Sequence, residues 1–555
     1  MRTTSVVTAS IGVILLLPLA PRAQESPLLL AMRDEMARSM ADLKMKGEPA
    51  PYYIEYEIDD VASMRAVARL GGIVDEVADH TRTLRVQVRV GDYTFDSSRF
   101  VTQDRGGGAG AGAGATAPLD DNYDAIRREI WLTTDTAYKR AVSVFAKKKA
   151  AFQNRAATDQ IPDFSRETPV ATVLPFAATA PTDRTWVDRA KQLSAVFASN
   201  PALDASEVWM SEAHGTSFYL NSEGFKVVTP VTTAYLRISA EARADDGMTV
   251  PDVFAAVENR LEDLPPMSEL LARARAVADH VAGRRAAPVG EEFTGPMLIE
   301  GQASAELLRQ TLAPLMLARR PPDAENPRFG QGQGQATPFL TRIGLRVLSD
   351  SFSVSDTPSL KEFDGRAVAG AYVVDDEAVP AKDVTLVEKG RLVTLLTSRT
   401  PQKNLPHSNG HGRSGSVQAG VLQVRSTQAT PAAALKTKYL ELLKAQNKPF
   451  GYIVRAIAAP GDVPAGGPGG PIILDAVKVT PDGKEELVRG LRFSAVPSTA
   501  FRDILEASEE RVLHNYRVDA GTAASIIVPS LIFEELELQK TREIVQKPPV
   551  VPPPG

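Results

Sequence analysis

Leu28, Leu29, Met32, Met36, Met40 and Leu43 recur at three- and four-residue spacing, which lays one apolar stripe along a helix over 25–45. From 51 to 103 the period changes to two. Tyr53, Glu55 and Glu57 alternate with Ile54, Tyr56 and Ile58, so an antiparallel sheet with one wet and one buried face is expected. Strands are predicted over 52–58, 66–74, 82–90 and 93–100, where β-branched and aromatic residues concentrate. Helical spacing returns at Tyr138, Val142 and Phe145 and predicts a helix over 135–155, capped by Thr134 or Asp135. Beyond it a helix is expected over 186–198 and strands over 208–210, 217–221 and 227–240. A mostly helical stretch over 253–284 would be broken at Pro265 and Pro266.

Punctuation divides the chain. The run 106–115 (GGGAGAGAGA) has neither the Lys nor the Ser/Thr of a phosphate-cradling loop and reads as a flexible surface loop. Residues 162–181 form a proline-punctuated connector, and 288–295 separates two halves. The second half opens on a buried strand at 296. A helix over 303–318 follows, with Leu307, Leu308, Leu312, Leu315 and Met316 on its apolar face. A flexible loop is read at 330–334, short strands continue to 496, and Asp482-Gly483 is a hairpin turn. A closing helix is expected over 499–510. The resulting fold class is α+β: an N-terminal antiparallel sheet with helices over 24–290, then a β-rich C-terminal domain over 291–540, then a Pro-rich, disordered tail over 541–555.

A chain of 555 residues exceeds one ordinary core, which predicts two or three domains. Its net charge of -5 argues against a general nucleic-acid surface, and Lys147–Lys149 read as a solvated helix face. Residues 1–23 (MRTTSVVTASIGVILLLPLAPRA) pair one early arginine with an uncharged apolar run too short to span a bilayer. This predicts a cleaved signal peptide and an exported, periplasmic protein. With no cysteine there are no disulfides, so stability rests on burial.

The segment 375–399 reads DDEAVPAKDVTLVEKGRLVTLLTSR: Asp-Glu-x-x-Pro, then Leu-x-x-x-Gly-x-Leu-x-x-Leu-x-x-x-Arg. It resembles the C-terminal domain of the TldD/PmbA (TldD/TldE) family of metalloproteases and proposed gyrase modulators. The strand at 486–493 (ELVRGLRF) adds to the resemblance. Active members carry His-Glu-x-x-x-His on a helix, where two imidazoles hold zinc, the Glu serves as general base and a cysteine completes the ligands. Here the matching region is 298–312. Glu300, Gly301 and Ala305 stand at or near the His, Glu and His places, with Glu306 beside them. No histidine in the chain precedes a glutamate, and the cysteine ligand is missing. Glu300 and Glu306 could offer carboxylate oxygens to a harder cation, but they read more simply as a strand end and a polar helix position. The resemblance therefore implies no zinc cofactor and no catalytic residue here.

His407 and His411 have i, i+4 spacing, yet Asn409, Gly410, Gly412 and Gly415 make their segment a loop. In the family the comparable loop lies near the cleft, which makes Asn409, His411 and Arg413 candidates for contact with a peptide or partner. Ser414 and Ser416 lack the G-x-S-x-G context of a nucleophile. Asp375–Glu377 read as the start of a hairpin and a fold marker. His80, His214, His280 and His514 stand alone and read as structural. The function expected is a non-catalytic, TldE-like subunit or peptide-binding homologue. It would take an extended peptide by strand addition, as a homodimer or beside a zinc-bearing relative. The alternatives are an active metallopeptidase with unrecognised ligands and a purely structural exported protein.

Overall fold

Two long antiparallel strands, Pro51–Arg69 and Gly72–Val90, replace the short strands expected between 52 and 90. In this computed structural model the described residues are 26–103, 112–153, 161–174, 184–326, 336–463, 469–519, 521–541 and 551. The expected signal peptide, the 330–334 loop and nearly all of the tail lie outside them. The polar residues that look like breaks in these strands are cross-strand partners instead. Arg82 reaches Asp60 at 2.6 Å, His80 lies 2.6 Å from the other oxygen of Asp60, and Arg65 bonds Asp75. The chain reverses at Leu70 and Gly71, whose φ values of 49° and 85° suit the tight turns that match strand twist. Residues 93–99 form turns, and only Phe100–Val101 is a strand there.

Ala205–Asn221 pairs with Pro51–Arg69 on its other side, followed by Lys226–Arg243 and then Thr249–Glu258. The stretch expected to be helical from 253 thus begins as a strand. The helix Met267–Ala286 starts only after Pro266. Part of the glycine-rich run is also sheet: Ala113–Thr116 pairs with residues 83–86 of the second strand. The helix expected from 135 starts at Tyr123, where the Asn122 side chain accepts a hydrogen bond from Ala125 N at 3.0 Å.

The period of two then sorts side chains between two environments. Ile54, Tyr56, Ile58, Leu84 and Val86 pack under the helices Pro27–Asp42 and Tyr123–Phe152. Further along the same face, Met64, Ala66, Met210 and Leu236 pack under Thr185–Ala195 and Met267–Ala286. The opposite face, expected to be wet, turns toward the second half of the chain. There Tyr53 is fully enclosed, and Tyr219 and Phe225 join Val374 and Ala378 in a small apolar contact between the halves.

The second half is built around the strand Ala523–Lys540, which pairs with Phe293–Ile299, Val421–Ser426 and Ile504–Arg517. The helix Gly301–Thr311 is shorter than expected because Pro314 follows within one turn and sits in a 3-10 segment, Ala313–Met316. Its Leu307 and Leu308 enter the main core. The helix expected over 499–510 is instead a short turn, Ala500–Asp503, followed by strand; pairing with Ala523–Lys540 overrides local helical preference. A helix not anticipated from the sequence, Ala432–Ala445, buries Leu435, Tyr439 and Leu443, one residue every four. The hairpin at Asp482-Gly483 forms as expected, with Gly483 at φ 92°.

Candidate functional site

Between the odd-numbered face of the first sheet and the second half lies an open cleft of about 1710 Å³. Strand register places Glu55, Glu57, Asp59, Arg85 and Tyr219 on one wall. Tyr372, Asp376, Arg413, Ser414 and Asp519 stand on the other.

The Asp375–Glu377 block forms the lip of that second wall. Asp375 is 4% exposed; its Oδ1 accepts from Glu377 N and Val379 N at 3.0 and 2.8 Å, and its Oδ2 from Gly412 N at 2.8 Å. Burial, with Glu377 beside it, raises the Asp375 carboxyl well above the usual range. Glu377 accepts from Arg399 N at 2.6 Å, and Asp376 from Ser414 N at 2.6 Å. These carboxylates shape the turn, and Asp376 also shows a face to the cleft. Across the space, burial and then Asp59 push Glu57 up to about 8, against the hydrogen bond from Arg85. The acidic character of this end was visible in the sequence as Glu55, Glu57 and Asp59, but nothing there showed that the 375–377 block would meet it.

The three expected contact residues separate. Asn409 is spent on the loop itself: its Oδ1 accepts from Thr397 N at 2.8 Å and its Nδ2 donates to Leu395 O at 2.9 Å. His411 has no exposed surface. Its Nδ1 lies 2.9 Å from Asn409 Oδ1 and its Nε2 3.2 Å from Asp356 Oδ1. The structure thus places both side chains in the bonding of the loop itself, whose backbone turns they hold. Arg413 lines the cleft, stacked 4.2 Å over the Tyr372 ring and donating to Ala523 O at 3.0 Å.

The region matching the zinc helix lies away from the cleft lining. Glu300 ends its strand and sits 3.4 Å from Arg455. Gly301 opens the helix at φ 44°, and Ala305 is fully buried in the core. Glu306 is also fully buried. It bonds His514 Nε2 at 2.8 Å, Arg309 Nε at 2.9 Å and Gln310 Nε2 at 2.9 Å. Burial alone would raise its carboxyl, but the hydrogen bond and charge of His514, with Arg309 and Gln310, bring it down to about 2. A folded value below the unfolded one stabilises the fold above about pH 4.5, and that stability is lost as pH falls toward 2. Glu306→Gln is therefore expected to flatten the acid limb of the stability curve in that window. Urea titrations at a series of pH values check this; an unchanged acid limb would refute it.

Residues 294–540 match the family model described as the PmbA/TldA metallopeptidase C-terminal domain. These residues carry a C-terminal domain of the TldD/PmbA family. A curated Archaeoglobus fulgidus protein named Metalloprotease is 33% identical over 92 residues, a match spanning 17% of this chain and only 20% of that relative's length. Among solved structures, a Thermotoga maritima protein described as a candidate modulator of a DNA gyrase aligns with TM-score 0.59 at 14% identity, over 92% of this chain and 100% of that one. TldE from Thermococcus kodakarensis aligns with TM-score 0.56 at 13% identity, over 92% and 99%. At those identities the likeness concerns the fold, which they share nearly end to end.

Zinc is the metal that TldD/PmbA membership brings to mind, and the donor chemistry on this helix does not suit it. A catalytic zinc takes about three nitrogen, sulfur or carboxylate ligands from the protein. Gly301 and Ala305 offer no donor atom, and Glu306 and His514 are bonded to each other with an arginine against the carboxylate. Among the described residues no group of three His, Cys, Asp or Glu side chains is placed to hold a metal ion.

Proposed function

We propose that this TldD/PmbA protein is an exported, non-catalytic subunit or peptide-binding homologue that holds an extended peptide in the cleft and works beside a zinc-bearing relative. The observation carrying this reading is the contrast between the two regions. The helix matching the metal motif has its one suitable carboxylate closed by His514, Arg309 and Gln310, while the cleft keeps polar side chains such as Asp376 and Ser414 turned to open space. A peptide there would use its own backbone groups for affinity, which requires no metal. Residues 1–23 would direct export and be removed.

The test uses the full chain, purified with and without the zinc-bearing relative encoded nearest to it. Expected are far less than one zinc per chain by metal analysis, no peptide cleavage by the chain alone, and co-purification of the relative. Stoichiometric zinc, with cleavage abolished by a chelator, would instead establish an active metallopeptidase with other ligands. A mature N-terminus found by mass spectrometry near residue 24 in a periplasmic fraction checks the export part.

A further inference from the structure

Away from the acidic lip, the cleft wall is formed by Arg99, Arg319 and Arg320. Two of these keep hydrogen-bonding capacity unused. Arg99 Nε and Nη2 and Arg319 Nε are enclosed yet have no hydrogen-bond partner among the described residues. A buried guanidinium N–H left unbonded is destabilising, so three such atoms on one cleft wall form a site waiting for an acceptor.

The fold brings them together deliberately. Asp323 N donates to Arg99 O at 2.9 Å, and Asp323–Ala324 pairs in parallel with Phe100–Val101, so the 319–323 segment runs beside Arg99. Nearby carboxylates are already committed. Asp96 pairs with Arg89, and Asp163 takes Lys148 at 2.6 Å with Arg320 at 3.5 Å. Arg320 also donates to Pro162 O at 2.7 Å, and Arg319 to Gln418 Oε1 at 3.3 Å. The charges of Asp163 and then Asp323 act on Arg99 less than that of Arg320 does. Cations thus outnumber anions here. Burial and then Arg320 bring Arg99 down to about 10, so it stays charged at neutral pH.

We infer that Arg99 and Arg319, with Arg320 beside them, form a carboxylate-binding subsite that anchors one end of a peptide in the cleft. Guanidinium groups suit carboxylate because paired N–H donors match its two oxygens. Asp59 and Asp519, also on the cleft lining, repel the same group, so the cleft is polarised and fixes one direction for the chain it holds. This inference rests on the peptide-holding reading above, and it adds what that reading lacks: the chemistry of the terminus recognised.

Calorimetric titration of the full chain with three versions of one acetylated heptapeptide of alternating serine and valine tests it: free C-terminal acid, C-terminal amide, and amide with one internal glutamate. The free acid is expected to bind about tenfold or more tightly than the amide. The double variant Arg99→Gln/Arg319→Gln, shown to be folded by a cooperative melt, should erase that difference. Tight binding regained by the glutamate-bearing amide would assign the carboxylate to a side chain, and failure to regain it to the terminus. Equal affinity for all three peptides overturns the subsite but leaves peptide binding standing. Absence of binding by any of them overturns both.

Discussion

Replacing Arg399 with methionine is expected to loosen the junction between the two halves and to cost about 3–5 kcal/mol, the usual loss when one member of a buried ion pair is removed. Arg399 belongs to the second half and is fully enclosed. Its Nη2 donates to Glu223 Oε1 at 2.9 Å and to Ser165 O at 2.6 Å, both in the first half. Its Nη1 lies 2.7 Å from Glu223 Oε2, a close charge contact whose angles are not those of a hydrogen bond. The guanidinium also stacks 3.8 Å from the Phe164 centroid, and Arg89 stacks 3.7 Å from the same ring. Two cations at that distance require opposite faces, so Phe164 is clamped between them. Without Arg399, Glu223 would keep, among the described residues, only the Tyr93 side chain as a donor. Chemical denaturation followed by tryptophan fluorescence should show the first half unfolding separately. The double variant Arg399→Met/Glu223→Gln should recover much of the loss, because it removes the stranded charge as well. A single transition at the parental midpoint in Arg399→Met would refute the account.

The second large effect is expected at Asp356. This carboxylate is fully buried and accepts from Gly420 N at 3.1 Å and Val421 N at 3.1 Å, with His411 Nε2 at 3.2 Å. Asp356→Ala leaves two backbone N–H groups and an imidazole without their acceptor, each worth about 1–3 kcal/mol when buried. The total is on the order of 3–5 kcal/mol because partial relaxation offsets some of it. The consequence reaches the cleft, since His411 lies two residues from Arg413 and fixes the loop that presents it. Hydrogen exchange should accelerate across 407–413 and 420–421, and peptide affinity should fall with it. Asp356→Asn, which keeps an acceptor oxygen, should lose much less. Unchanged exchange at Gly412 and Val421 in the alanine variant would contradict this role.

Much of the fold was legible because it rests on local periodicity. The first helix, the alternation from Tyr53 to Ile58 and the Asp482-Gly483 hairpin all follow from short-range pattern. The departures have physical reasons. The long strands of the first sheet contain Asp59, Asp60 and Ser63, which look like breaks until their cross-strand partners are known. Ile504–Arg517 carries enough Glu and Leu to resemble a helix, and only the neighbouring strand decides otherwise. The candidate site was least legible. The 375–399 motif identified the family through residues that turn out to hold the halves together, Arg399 above all. The arginine wall joins positions 99 and 319–320, and no sequence window spans them.

In the first sheet, the wall of the cleft and the roof of the hydrophobic interior are two sides of one ribbon, assigned by odd and even position. Recognition can therefore drift by substitution at Glu57, Asp59 or Arg85 while the apolar packing of the opposite face stays in place. A one-residue deletion inside Pro51–Arg69 would instead exchange the roles of every later position in that strand, sending isoleucines into the groove and glutamates under the helices. Relatives of this chain should accordingly differ in this sheet by replacement and almost never by change of length.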